Sequence, residues 1–253
     1  MRIISNLIKA VSANEGPAPI NILKSSSGNY CINLKSQPQR LKEVKRQLGF
    51  YGIEVERFSA VLSKNVVDKI TRKERVRGIA NGCLQSHIDL YKEILAKNQS
   101  GSGDKRPFVA VFEDDIVVLS TITELDAYAA QLPDDWDFVY LGGNYHFHKP
   151  VIINEHLIRP VYALSTHAQL IRIDFLPRLI EELEKREFEV DVVYCHLQER
   201  GVGNWYGFTT DFFWQHGLDS AANTSLWRHQ LGLFHYSMAN RVIDQVVIKN
   251  YLP

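Results

Sequence analysis

The run Phe108-Val109-Ala110-Val111-Phe112 constrains the fold more than any other part of the chain. Five consecutive β-branched, small and aromatic residues read as a strand buried on both faces, the pattern of a central strand in a parallel sheet. The run is far shorter than the roughly 20 residues a membrane helix needs. It passes directly into Glu113-Asp114-Asp115. Three acids beside a core repel one another and lose hydration, so they need partners. Two resolutions are open: an acidic turn that caps a following helix, or a divalent cation. Hard carboxylate oxygens suit Mg²⁺ or Mn²⁺. Strand alternation puts Glu113 and Asp115 on one face and Asp114 on the other. In open α/β sheets, ligands bind beyond the carboxyl ends of the strands, where this triplet falls.

The flanking sequence supplies the rest of such a sheet. Tyr30 to Leu34 reads as a buried first strand, and Ser36 as the cap of a helix carrying Leu41, Val44 and Leu48. Ile53 to Phe58 reads as a second strand. Residues 79–97 form a helix with Leu84, Ile88, Tyr91 and Leu95 on its apolar stripe. Further strands are expected at 138–141, 151–153 and 160–164, and residues 116–119 and 168–173 are further apolar runs. Helices are expected at 121–132 and from a cap at Asp174 to Lys185. Residues 190–197 suit either helix or strand. Strand, helix, strand in this order opens an α/β fold. The chain divides into an irregular N-terminal arm (1–27), one globular domain (28–230) and a helix (231–253). That last helix carries Leu231, Phe234, Met238, Val242 and Val246 at helical spacing, and either packs on the domain or forms a homodimer.

Composition narrows the function classes. The 253 residues hold 29 Lys+Arg against 29 Asp+Glu, a balance that argues against a nucleic-acid binder. Three cysteines without a CxxC pair argue against a disulfide framework or a structural zinc site. The N-terminus lacks a signal-peptide core, and no run spans a membrane, so a cytoplasmic location is expected.

Several other residues can carry chemistry. Gly82-Cys83-Leu84-Gln85-Ser86-His87 opens the long helix, and His87 edges its buried face, where a histidine is either a core residue or a ligand contact. The basic residues among 65–77 are either a solvated helix face or a lip for an anion. His216 lies in an aromatic-rich segment as a distal metal ligand. Asp191, an acid inside an apolar run, is either a cap or a working carboxylate.

These motifs stand in an order that resembles glycosyltransferase family 25, over about residues 29–226. Ile32-Asn33-Leu34 followed by Arg40 is similar to the family's first strand and following arginine. Phe58-Ser59-Ala60 is similar to its "F-x-A" segment, and Gly82-Cys83 with Ser86-His87 to its "G-C-x-x-S-H" helix. Phe112 to Asp115 resembles its "EDD" site, and Trp136-Asp137 with Leu141-Gly142 its "W-D…L-G" strand. Thr166-His167-Ala168 with Leu170-Ile171 resembles its "T-H-A-Y-L-I" segment, with Gln169 in the aromatic position. Val190-Asp191 resembles "P-V-D", with Glu189 for Pro, and Gln215 begins a loose match to the C-terminal motif.

The resemblance implies a GT-A-type fold, a mostly parallel central sheet flanked by helices that binds a nucleotide sugar. It implies a metal-dependent, inverting transferase that moves a hexose, galactose or glucose, from a UDP-sugar to a hydroxyl of a glycan or protein acceptor. Mn²⁺ or Mg²⁺ would be held by Asp115 with Glu113 or Asp114, and by His216. Asp191 would be the catalytic base, with Asp211 in reserve. Asn33, Arg40 and Ala60 would flank the uridine, Ser86 and His87 would line the donor pocket, and Glu113 or Asp114 could bind the ribose. The alternative is a non-catalytic nucleotide-sugar-binding or scaffold relative of the same fold. A metal-dependent phosphoesterase ranks last, because no second cluster of His and Asp ligands accompanies the triplet.

Overall fold

The structure is a computed structural model that describes residues 20–62, 72–98, 106–143, 145 and 148–215, with the backbone alone for 72–81. His216, the expected helix 231–253 and most of the N-terminal arm lie outside the described residues. The part of the arm that is described is ordered as a helical turn, α1 (Asn21–Lys24), which buries Ile20 and Leu23. Among the described residues, no helix is long and apolar enough to cross a membrane.

The chain then alternates as expected: β1 (Asn29–Asn33), α2 (Pro38–Phe50), β2 (Glu56–Ser59), α3 (Arg72–Lys97) and β3 (Phe108–Glu113). Helix α2 starts at Pro38 with Gln37 at its cap, so Ser36 does not cap it. Proline at the first helical position brings its own fixed φ and lacks only an N–H that would have no partner there. Helix α3 begins at Arg72, earlier than its apolar stripe indicates, so the basic residues from Arg72 to Arg77 are helical.

Beyond β3 come β4 (Ile116–Val118), a short 3₁₀ turn (Ser120–Glu124), α4 (Leu125–Ala129), β5 (Phe138–Tyr140), β6 (Val151–Ile152), β7 (Leu157–Arg159) and β8 (Ala168–Arg172). The described residues close with α5 (Leu176–Leu183), α6 (Val190–Glu199), β9 (Trp205–Phe208) and β10 (Phe213–Gln215). Residues 160–164 are not a strand; the ladder lies at 157–159 and stops at Pro160, which has no N–H to extend it. Asp174 does not cap α5, which is capped at Phe175; its carboxylate instead takes Nε–H of Arg106 at 3.0 Å. Residues 190–197 resolve as helix. Strands β9 and β10 fall in the aromatic segment that the alternation pattern left unassigned.

The main sheet has the order β2-β1-β3-β8-β5-β9-β7-β6, with β4 and β10 forming a separate antiparallel pair. β8 and β7 run against all the other strands, so the sheet is mostly parallel in direction. Strand β3 therefore has a parallel neighbour, β1, on one side and an antiparallel one, β8, on the other. Its alternation sends Phe108, Ala110 and Phe112 into one core with Val44 and Leu48 of α2. Val109 and Val111 enter the other core with Leu84, Ile88 and Tyr91 of α3. Helices α2 and α3 thus lie on opposite faces of the sheet, and the crossover reverses between β1 and β3. The carboxyl ends of those two strands face the resulting crevice, the usual ligand position in such sheets.

Candidate active site

Strand β3 ends at Glu113, and a tight turn carries Asp114 and Asp115 into β4. The three acids separate as strand alternation predicts. Asp114 turns toward β1 and α2, where Asn33 Nδ2–H donates to it at 2.7 Å and Arg40 pairs with it at 3.2 Å. Asn33 is itself fixed, donating to the Gln37 carbonyl at 2.8 Å and accepting from Arg57 Nε–H at 3.0 Å.

Glu113 and Asp115 turn the other way and share a single donor. Gln215 Nε2 lies 3.3 Å from Glu113 Oε2, and 3.4 and 3.2 Å from Asp115 Oδ1 and Oδ2. Thr166 Oγ–H donates to Glu113 Oε1 at 2.5 Å, and the Cys83 thiol points at the same oxygen from 3.9 Å. Burial first, and then the Asp115 charge, push the Glu113 carboxyl well above the ordinary carboxylate range. Burial and Asp114 do the same to Asp115, with Gln215 and Arg40 pulling against them. Two buried acids that resist ionising are a site short of positive charge.

Asp191 stands in the first turn of α6, its Oδ1 accepting the Val192 N–H at 2.9 Å. Burial raises its pKa, and its charge reaches both Glu113 and Cys83. The fold therefore brings Asp191 to the same side of β3 as Glu113, 78 positions away in sequence.

The other predicted residues are arranged around this centre. Ala60 N–H donates to the Asn33 carbonyl at 3.0 Å, continuing the β1–β2 ladder toward the crevice. Ser86 is buried; its hydroxyl donates to the Gly82 carbonyl at 2.7 Å and accepts the Val61 N–H at 2.8 Å. It pins the loop after β2 to α3 from behind. His87 is fully buried, with Nδ1 3.0 Å from the Cys83 carbonyl and its ring edge-on to Tyr91. Burial lowers its pKa to about 4, so it stays neutral. Both residues are buried, and the Nε2 of His87 has no hydrogen-bond partner among the described residues. Asp211 sits beyond the carboxyl end of β5, accepting the Gly143 N–H at 3.3 Å.

Thr166, Gln215 and Arg57 were absent from the predicted site. Thr166 and Gln215 were visible only as motif residues, and nothing in their local sequence joins them to Glu113. β8 pairing places His167 C=O on the Glu113 N–H, which brings Thr166 alongside; the β4–β10 register sets Gln215 opposite Ile116, next to Asp115.

Among the described residues, no group of three or more His, Cys, Asp or Glu side chains could hold a metal ion alone. The converging pair Glu113 and Asp115 nevertheless fits a hard cation of the kind that takes one or two carboxylates and completes its shell with phosphate oxygens and water. Asp114 is committed to Arg40 and Asn33, which leaves it outside that pair.

The profile of glycosyltransferase family 25 (LPS biosynthesis protein) matches residues 26–169. A glycosyltransferase 25 family member of Aedes aegypti is 28% identical, with 62% of this chain and 28% of that protein covered. One from Anopheles gambiae is 26% identical, covering 62% and 29%. The chain thus spans less than a third of the length of these curated relatives. Among solved structures, a glycosyltransferase involved in glycosylation of the major capsid of PBCV-1 aligns with a TM-score of 0.44 at 10% identity, over 77% of this chain and 94% of that one. The nucleoside-diphosphate-sugar pyrophosphorylase from Vibrio cholerae RC9 aligns with a TM-score of 0.36 at 17% identity, over 86% and 93%. The profile match runs from the start of β1 through the acid turn into β8, more than half of the residues, and the chain belongs to glycosyltransferase family 25.

Proposed function

We propose that the chain is a metal-dependent, inverting glycosyltransferase that moves galactose or glucose from a UDP-sugar to a hydroxyl of a glycan or protein acceptor. The observation that carries this reading is the pair of buried carboxylates, Glu113 and Asp115, converging at the carboxyl end of β3 where the sheet's crossover reverses. Mn²⁺ or Mg²⁺ bound by this pair would offset charge on the departing diphosphate. Asp114, neutralised by Arg40, is left to shape the uridine side together with Asn33 and Ala60.

Asp191 is the proposed base. It takes the proton from the acceptor hydroxyl as that oxygen bonds to the anomeric carbon and the bond from that carbon to UDP breaks. Burial supports the role, because a carboxylate held above its ordinary pKa is a stronger proton acceptor. We also propose a cytoplasmic location, which suits three free thiols.

The test is calorimetric titration of UDP, UDP-glucose and UDP-galactose, with and without Mn²⁺, on the wild type and Asp115→Ala. Manganese-dependent binding that the substitution abolishes supports the reading, and sugar release lost in Asp191→Asn supports the base. No nucleotide binding under any condition refutes it. Binding with neither transfer nor hydrolysis would assign the chain to the non-catalytic alternative.

A further inference from the structure

Gln215 is bound in an unusual way for a neutral side chain. One amide nitrogen serves two carboxylates on different residues, at 3.3 Å to Glu113 and 3.2 Å to Asp115. That nitrogen stands between the two acids that would hold a cation. The position is enforced by backbone pairing, because Gln215 lies opposite Ile116 in the β4–β10 ladder. Thr166 and Cys83 approach Glu113 only through its other oxygen, Oε1, so neither competes for this place.

An amide supplies two polarised N–H groups but no net charge. It is enough to hold the two acids together and too little to neutralise them. We infer that Gln215 gates cation loading: its amide nitrogen holds the two acids together and has to withdraw before Glu113 and Asp115 could both turn to a divalent ion. Two carboxylates in competition with an amide bind the ion poorly; the added oxygens of a nucleoside diphosphate tip the balance. Metal binding is thereby tied to the arrival of the donor. Gln215 acts as a positioning residue, and the inference rests on the metal-dependent reading above.

The test follows free Mn²⁺ by electron paramagnetic resonance as the full chain is titrated, with and without UDP, in the wild type and in Gln215→Met. Methionine keeps the length and removes the donor. Without UDP, the variant should bind Mn²⁺ about tenfold more tightly, the effect of losing one competing hydrogen bond to a charged group. The enhancement by UDP should shrink correspondingly. Unchanged or weaker binding of Mn²⁺ alone by Gln215→Met overturns the gate. Gln215→Ala gives the same comparison if the methionine variant does not fold. A wild type that binds UDP but no Mn²⁺ defeats the metal-dependent reading and the gate with it. A wild type with UDP-dependent Mn²⁺ binding and an indifferent Gln215→Met defeats the gate alone.

Discussion

Asn33 offers the sharpest test of how the site is held. It is 1% exposed, and its short amide joins three elements: Asp114 on the acid turn, the Gln37 carbonyl at the head of α2, and Arg57 on β2. Two of these bonds involve a charged partner, worth about 1.5–3 kcal/mol each, and the third about 1 kcal/mol. In Asn33→Ala the charged partners keep some contacts, since Asp114 retains Arg40 and Arg57 retains the backbone carbonyl of residue 33. The net loss should be about 3 kcal/mol. At roughly 2–4 °C per kcal/mol for a domain of this size, the thermal midpoint should fall by about 6–12 °C. Asn33→Asp is the control. It is nearly isosteric, but it points a carboxylate oxygen at Asp114, so it should cost at least as much as alanine. Thermal and urea unfolding would measure both. A fall of less than about 3 °C for alanine, or a mild aspartate variant, would refute the claim that hydrogen bonding by Asn33 anchors the acid turn.

Other outcomes follow from the same geometry. His87 has its pKa lowered from 6.5 to about 4, so below pH 6.5 the unfolded chain binds a proton that the folded one refuses. Stability is therefore full above pH 6.5 and declines by about 3 kcal/mol as pH falls through 4; urea titrations across that window should show a shallower decline in His87→Gln. Gly142→Ala would set a Cβ 2.0 Å from the Phe213 carbonyl oxygen and 2.8 Å from His167 Nε2. The backbone of β10 must then move, at a cost above about 2 kcal/mol, and UDP binding should weaken with it, as unfolding and calorimetry would record. Asp115→Asn removes one of two buried acids that resist ionisation, so the metal-free protein should gain about 1 kcal/mol at pH 8 while losing manganese-dependent UDP binding.

The sheet strands were the most legible part of the sequence. Phe108 to Phe112 is apolar at every position because both of its faces are buried, and its shortness and its β-branched and aromatic residues point to a strand over a buried helix. The alternation that parted Asp114 from its neighbours was equally readable, since it depends only on backbone geometry. The antiparallel insertion of β8 beside β3 was not, because strand direction depends on connections between distant segments. Helix caps misled at Ser36 and Asp174, where a proline and a distant arginine, respectively, took precedence. Ser86 and His87 belong to a motif that opens the apolar stripe of α3, yet the helix itself begins at Arg72 and both side chains are buried: a pattern of residues marks a segment, and burial decides what its side chains can reach. Thr166 and Gln215 escaped because their relation to Glu113 exists only across paired strands.

The separation between the acids and Gln215 has a consequence for how the protein comes into being. The contacts of Gln215 with Asp115 and Glu113 span 100 and 102 positions. A chain emerging from a ribosome presents its acid turn long before the partner amide exists, and loops of that length close late because their entropy must be overcome by contacts already made. The β1–α2–β2 region and β3 can associate first, with Asn33 and Arg40 restraining Asp114. Glu113 and Asp115 stay unbridged until β10 docks on β4. Docking of β10 is then the step that gives the two acids their shared donor, and a truncated or stalled product would carry Glu113 and Asp115 without it.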